Sequence, residues 1–459
     1  MEEKRRMSKL TMFAYGCGDF ASNLCWTFIG SYLSIFYTDV VGIAPVVASA
    51  LMLIAKTWDG FYDPMFGIIA ERTNTKFGRF RPYILFGCPF LAVFSVLTFT
   101  TLGTGAGAVA WAAFTYIGCG MLYTVVNLSY GSLSTVMTNK TDELVTLGSY
   151  RMIGANIGAV LLNAISAPLL IHFSGNSDTY PASSYTKIAF IYAICAFPLF
   201  LFVFKMCKET IRPISKKKVA IKDSIKNVVA NKPLMIIFIV QLFSLGSFFG
   251  RMGVAVYYFI YCMRRPDLIS LLMALPSVMT IIGILVTKKL WVKIGRMKMQ
   301  SIGLLGQAIS LAAIWYVGGF VGYDNVTIII ILHAIYGFFI YTCAIPMGMV
   351  PDAIDYQEDK TGVRADGTSY AAVSLSTKLA SAFGVSIALA LMGVMGYVAN
   401  HKQTEAGLKG INFSVNLFFA IIALIGIIPT MLYPISEKKN EEIKASLEQK
   451  RQNVITDNQ

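Results

Sequence analysis

Stretches of about twenty consecutive apolar residues recur along the whole chain, each long enough to carry an α-helix across a hydrocarbon layer about 30 Å thick. Bounded by polar or Gly/Pro breaks, they lie near 11–37, 44–70, 83–102, 108–136, 149–172, 186–207, 233–261, 268–290, 299–320, 326–350, 367–398 and 409–434. Backbone crossing lipid must satisfy its own polar groups, which leaves helices or a closed barrel, and barrel strands would show shorter, alternating segments. The fold class is therefore all-α: a polytopic membrane protein with twelve transmembrane helices. A hydrophobic content of 56% with only 14% charged residues is too apolar for a water-soluble chain of 459 residues. The eight cysteines sit in or beside apolar runs with no C-x-x-C spacing and are expected to be packing residues.

Basic residues set the expected orientation. With both termini cytoplasmic, the inside segments hold 30 Lys or Arg, and the outside loops hold five, Lys187, Arg264, Arg265, Lys402 and Lys409. The net charge of +14 then faces an anionic lipid leaflet, and no nucleic-acid partner is implied. The basic stretch 208–232, with Lys216-Lys217-Lys218, follows six segments and precedes six. It divides the chain into a first bundle (1–207), a cytoplasmic linker (208–232), a second bundle (233–434) and a cytoplasmic tail (435–459), the tail a short helix or disordered. Gly78-Arg79 after the second segment is echoed by Gly295-Arg296 after the eighth. Two six-helix bundles with a mid-membrane substrate cavity between them is the architecture this duplication implies.

The run 44–70 contains Lys56, Asp59 and Asp63, which spacings of three and four place on one helical face. Ionisable groups inside a membrane segment are costly and normally face a polar interior, so the trio marks a functional site. One lysine cannot neutralise two carboxylates, and the surplus charge calls for a cation. No phosphate-binding G-x-x-x-x-G-K-[ST] loop occurs, so any transport is expected to be gradient-driven. Asp19, Asn127 and Arg151 can pair with sugar hydroxyls, and Trp58 and Tyr123 can cover an apolar sugar face. Arg251 is expected to pair with lipid or a neighbouring helix, and His333 to be a satisfied core histidine.

Longer motifs carry a resemblance. Tyr15-Gly-Cys-Gly-Asp19-Phe, Phe36-Tyr-Thr-Asp39-Val-Val-Gly42, Trp58-Asp59-x-x-x-Asp63-Pro64 and Arg72-Thr-Asn-Thr-x-x-Gly78-Arg-Phe-Arg-Pro82-Tyr resemble the glycoside-pentoside-hexuronide:cation symporters, the melibiose-carrier family of the major facilitator superfamily. The stretch Tyr123 to Leu133, Ser149-Tyr-Arg151, and Asp352-x-x-Asp355-Tyr-x-Glu358-x-x-Thr361-Gly-x-Arg364-x-x-Gly367 with Lys378 are similar to later signatures of that family. The resemblance implies that Asp59, Asp63, Thr124 and Lys378 serve the cation, with Lys56 supporting. It implies that Asp19, Asn127 and Arg151 contact sugar. Gly78, Arg79, Arg296, Asp352, Asp355 and Arg364 would hold the closed cytoplasmic side as loop residues. The melibiose branch has Asn, Asp and Trp where this chain has Tyr62, Asn127 and Gly131, and the pattern from Asn127 to Leu133 with Gly396 to Asn400 looks more like the glucuronide carriers.

The expectation is a symporter of the bacterial cytoplasmic membrane that imports a small sugar with H⁺ or Na⁺, with no cofactor and no obligate protein partner. A carrier of a non-sugar solute and a sugar sensor that no longer cycles are the alternatives. An intramembrane enzyme is not expected, because no H-E-x-x-H motif or paired nucleophile and base lies in the helices.

Overall fold

The computed structural model describes residues 7–138, 141–175, 180–210, 229–362 and 366–456. Among these the chain is helical, with an isolated bridge between Thr75 and Gly78 as the one β-type pairing. The first six crossings are α1 (Lys9–Ile35), α2 (Pro45–Arg72), α3 (Arg81–Leu97), α4 (Ala106–Met137), α5 (Thr141–Ser174) and α6 (Ala182–Met206). The next three are α7 (Lys232–Tyr257), α8 (Ile269–Ile294) and α9 (Arg296–Tyr316). The tenth joins α10 (Val326–Phe339) to α11 (Ile345–Thr361), the eleventh is α12 (Asp366–Val394), and the twelfth runs through α13 (Glu405–Asn412), α14 (Phe418–Ile425) and α15 (Ile427–Met431). Among the described residues nine helices are long and apolar enough to span a membrane by composition alone. The others fall short for visible reasons: α2 carries Lys56, Asp59 and Asp63, α1 is rich in Gly, Ser and Thr, and α3 is short.

The structure corrects one boundary that bears on function. The tenth crossing does not stop at 350: α11 starts with Pro346 in its first turn and continues through Pro351 to Thr361. Asp352 and Asp355 are thus helical, not loop residues. A left-handed Gly362 (φ 70°) ends the helix, its N–H donating to the Glu358 carbonyl. The residues past 350 are polar, which hydropathy alone reads as a loop although the backbone stays helical. The tail is likewise ordered, as α16 (Glu437–Thr456).

Contacts group the chain into two compact units, each described on its own. The first holds Met1–Ser215, Met252–Ser277 and Leu389–Ile411, and the second Lys216–Arg251, Val278–Ala388 and Asn412–Gln459. This grouping cuts α7, α8 and α12 within their length, so it follows contact and not chain order; residues 211–228 of the sequence-defined linker lie outside the described residues.

In the first unit α1 packs on α5 and α6, α3 on α4 and α6, and α2 on α4. Small residues permit the closest of these approaches, as is usual where lipid gives helices no hydrophobic drive to associate. A Cβ on Gly16 would lie 2.8 Å from the Tyr150 carbonyl oxygen, and one on Gly154 would overlap the Gly16 carbonyl. Gly154→Leu should therefore destabilise the bundle by about 1–3 kcal/mol or more through overpacking. A melting temperature in detergent equal to wild type would contradict that.

Candidate substrate and cation site

The three ionisable residues of α2 sit as their spacing predicts. Lys56 Nζ lies 3.5 Å from Asp59 Oδ2, both side chains nearly buried. Oδ1 of Asp59 is buried without a hydrogen-bond partner and presses on Gly120 of α4, where a Cβ would stand 2.7 Å away. One turn on, the Thr124 hydroxyl donates to Asp63 Oδ1 at 2.7 Å. Tyr62 turns elsewhere, stacking with Phe66 at a centroid distance of 6.2 Å.

The second arrangement joins α1, α4 and α5. Arg151 Nε donates to Asp19 Oδ2 at 2.6 Å, and its Nη2 lies 3.4 Å from Oδ1. The guanidinium rests 5.0 Å from the Tyr130 ring, and Tyr130 in turn donates its hydroxyl to the Tyr15 carbonyl. Gly131 leaves Arg151 room, since a Cβ there would already be 3.4 Å from Nη1. The side-chain oxygen of Asn127, on the same helix, is buried without a hydrogen bond. A polar cluster with one ion pair and one unsatisfied amide oxygen is suited to a ligand dense in hydroxyl groups.

Trp58 is 48% exposed, because position 58 falls off the helical face that 56, 59 and 63 share. The ring beside Lys56 is Trp26 of α1, stacked on Tyr123 at 4.3 Å with planes 24° apart, while Lys56 Nζ lies 3.9 Å from its centroid. Trp26 is seven residues from Asp19, so both occupy one face of α1. That i,i+7 relation was readable in the sequence. Trp26 therefore touches both the Lys56–Asp59 pair and the sugar-type residues.

The family model described as MFS/sugar transport protein matches residues 14–437. The chain belongs to that family. It is a transporter of the major facilitator type and not an enzyme. Over 456 residues it is 34% identical to the isoprimeverose transporter of Lactiplantibacillus pentosus, covering 97% of this chain and 93% of that one. It is 29% identical to the glucuronide carrier protein homolog of Escherichia coli, with 99% of each covered. The inward-open structure of the xylose transporter XylE from E. coli aligns with a TM-score of 0.66 at 14% identity, over 95% of this chain and 98% of that one, which shows the shared fold. The resemblance to the glycoside-pentoside-hexuronide symporters is borne out.

In this MFS/sugar transport protein the repeated Gly-Arg motif captures a carboxylate in each half. Gly78 (φ 114°) opens α3, and the backbone N–H groups of Arg79, Phe80 and Arg81 donate to the Glu209 carboxylate at 2.7–3.1 Å. A Cβ on Gly78 would collide with that carboxylate. Gly295 (φ 93°) opens α9, where the Arg296 N–H donates to Glu437 at 3.2 Å and the guanidinium binds Glu437 at 3.1 Å and Asp352 at 2.5 Å. Both glutamates follow the sixth crossing of their half, a correspondence the sequence contained but the motif alone did not reveal. Each uses the anion-binding N-terminus of a helix. Asp355 is half-buried on α11, and Lys378 is half-buried on α12 in the second unit. Arg364 lies outside the described residues.

Arg251 of the carrier does not face lipid: it is 4% exposed, with Nη2 2.8 Å from His333 Nε2 and 3.1 Å from Asn416 Oδ1. Guanidinium only donates, so Nε2 accepts, and Nδ1 carries the proton it gives to the Ile329 carbonyl at 2.8 Å. His333 is thereby fixed as a neutral, satisfied core residue, as the sequence suggested.

Proposed function

We propose that this protein is a secondary active importer of a sugar of the glycoside, pentoside or hexuronide class, in symport with a cation, working by alternating access. We place it in a bacterial cytoplasmic membrane with both termini in the cytoplasm, on the strength of its basic-residue distribution. The observation that supports symport most directly is Trp26, which lies under Lys56 of the α2 carboxylate site and stacks on Tyr123 of α4. Asp59 and Asp63, with Thr124, would take the cation. Asp19, Asn127 and Arg151 would hold sugar hydroxyls over Tyr123 and Trp26. The isoprimeverose transporter and the glucuronide carrier homolog among the relatives support the substrate class.

Coupling arises if cation binding at Asp59 and Asp63 changes sugar affinity by the same factor as sugar changes cation affinity. The test is uptake of labelled isoprimeverose and methyl glucuronide into right-side-out vesicles under an imposed proton or sodium gradient. One gradient should drive one sugar class above its external concentration, and Asp59→Asn should reduce that accumulation to the equilibrium level. Accumulation by Asp59→Asn equal to wild type would reject the assignment. Lys378→Ala is measured in parallel, and unchanged accumulation removes Lys378 from the coupling residues.

A further inference from the structure

Away from the substrate and cation site, the first unit carries a groove of about 350 Å³ between α3 and α6, lined only by apolar residues. Val93 and Leu97 of α3 face it from one side and Phe190 and Ile194 of α6 from the other, and the short side chains of Ala92 and Ala193 leave the space between them. Val93, Phe190 and Ile194 are each more than half exposed, so the groove opens to the outside of the bundle. Its volume falls within the range of about 300–1,000 Å³ typical of small-ligand pockets. A sugar is unsuited to it, because each hydroxyl would leave water without finding a hydrogen-bond partner. An acyl chain meets no such cost, and the bilayer presents one at the mouth of the groove.

The polar end of the groove is marked by charge. Lys187 precedes Phe190 by three residues and Ile194 by seven, which puts it on the same stripe of α6 and nearer the helix start at Ala182. It is exposed, with Nζ 5.6 Å from the Phe173 ring centroid, and among the described residues no carboxylate pairs with it. The apolar layer ends close to this level. Helix α3 stops at Leu97, the Thr186 hydroxyl donates to the Phe99 carbonyl at 2.5 Å, and the Trp111 indole N–H donates to Thr100 at 3.1 Å. Tryptophan with a hydrogen-bonded indole nitrogen is characteristic of the boundary between hydrocarbon and headgroups. A lysine at that depth lays its methylene stem along apolar surface and holds its ammonium among the headgroups.

We propose that the α3–α6 groove is a binding site for an anionic phospholipid, with one acyl chain between Val93 and Phe190 and the headgroup phosphate on Lys187. The two parts of the site match the two parts of such a lipid: an apolar hollow for the chain and, at its polar end, a cation for the phosphate. A zwitterionic lipid brings an ammonium of its own, which meets Lys187 with like charge and gains less. A lipid held there touches both helices, so it binds the folded bundle and stabilises the α3–α6 pair.

The experiment uses the full-length carrier in mixed-lipid vesicles with phosphatidylglycerol that carries a diazirine midway along one acyl chain. After illumination, labelled peptides are mapped. Label should concentrate on residues 92–97 and 190–197, and unlabelled phosphatidylglycerol should displace it about fivefold better than phosphatidylethanolamine does, the preference one lysine at the membrane surface supplies. Lys187→Gln should lower labelling of these two segments by about the same factor while leaving label elsewhere unchanged, and Lys187→Arg should restore it. Equal displacement by the two lipids in the wild type would overturn the inference, and that comparison needs no variant to fold. Label spread evenly over the lipid-facing helices, or unchanged labelling in Lys187→Gln, would overturn it too. A second copy of the carrier seated on the groove would keep label off both segments, which also rejects the proposal. No sugar is used, so the result stands apart from the substrate assignment.

Discussion

Arg151→Ala is expected to weaken sugar binding by about a hundredfold or more. Its guanidinium is the partner of Asp19, whose side chain is only 14% exposed. Removing one member of a largely buried pair strands the other charge, at a typical cost of about 3–5 kcal/mol. That cost falls on stability; for binding, a lost hydrogen bond to a charged group is worth about 1.5–3 kcal/mol, so two lost donors amount to about 3 kcal/mol or more, roughly two decades in affinity. The same change removes two of the donors that would face sugar oxygens. Asp19→Asn in the same background distinguishes the effects: it relieves the stranded charge, so stability should recover while sugar affinity does not. Equilibrium binding of the labelled sugar, read beside a thermal melt in detergent, separates the two. Sugar affinity of Arg151→Ala within threefold of wild type would take the Asp19–Arg151 pair out of the binding site.

The next largest effect is expected at Asp39, within the first unit. Its carboxylate accepts from Thr38 at 2.6 Å and from the hydroxyls of Tyr261 and Tyr397, and the Asn400 side-chain amide donates to its backbone carbonyl. These bonds tie the π-helical turn Phe36–Val40 at the end of α1 to the π-helical end of α7 and to the chain just after α12. Thr38 adds a hydroxyl contact to Tyr257 at 2.8 Å. Hydrogen bonds to a charged acceptor contribute about 1.5–3 kcal/mol each, and Asn at 39 loses the charge and one acceptor oxygen together. Cys262, 5% exposed with its Sγ 3.7 Å from the Leu408 carbonyl, is a native reporter on this cluster. With the other seven cysteines replaced, Asp39→Asn should raise the alkylation rate of Cys262 by an impermeant maleimide at least tenfold. An unchanged rate would show that Asp39 does not hold these ends together.

Much of this was legible beforehand because the bilayer restricts the choices. The apolar runs located all twelve crossings, with most ends within a few residues and the start of α5 and the end of α11 as the exceptions, since nothing but a helix satisfies backbone in lipid. The α2 face was legible for the same reason: periodicity placed Lys56, Asp59 and Asp63 together, and the 3.5 Å Lys56–Asp59 contact follows from i,i+3 geometry. What was not legible depended on contacts between helices. Trp58 adjoins Asp59 in sequence and is 48% exposed, whereas the ring beside Lys56, Trp26, arrives from another helix. Glu209 was hidden because its partners are backbone N–H groups at a helix start, which carry no residue signature beyond the glycine before them, and Glu437 because it meets such an N–H and the Arg296 guanidinium from 141 residues away. The continuation of α11 to Thr361 was missed because hydrophobicity marks where a helix leaves lipid, and the hydrogen-bonded helix itself ends later.

The docked tail carries a practical consequence. Helix α16 is held by Lys450 to Asp359 at 2.7 Å, by Lys444 to Asp352 at 3.5 Å, by Glu437 to Arg296, and by Ile443 and Leu447 packed near Tyr356. Its charged attachments are exposed on the lysine side and weaken as the Debye length shrinks from about 10 Å at 0.1 M salt to about 3 Å at 1 M. The apolar attachments do not weaken in that way. A dye on an exposed residue of α16 would therefore be an ionic-strength gauge for one end of α11, readable in intact membranes without any substrate and without touching the residues proposed to bind sugar.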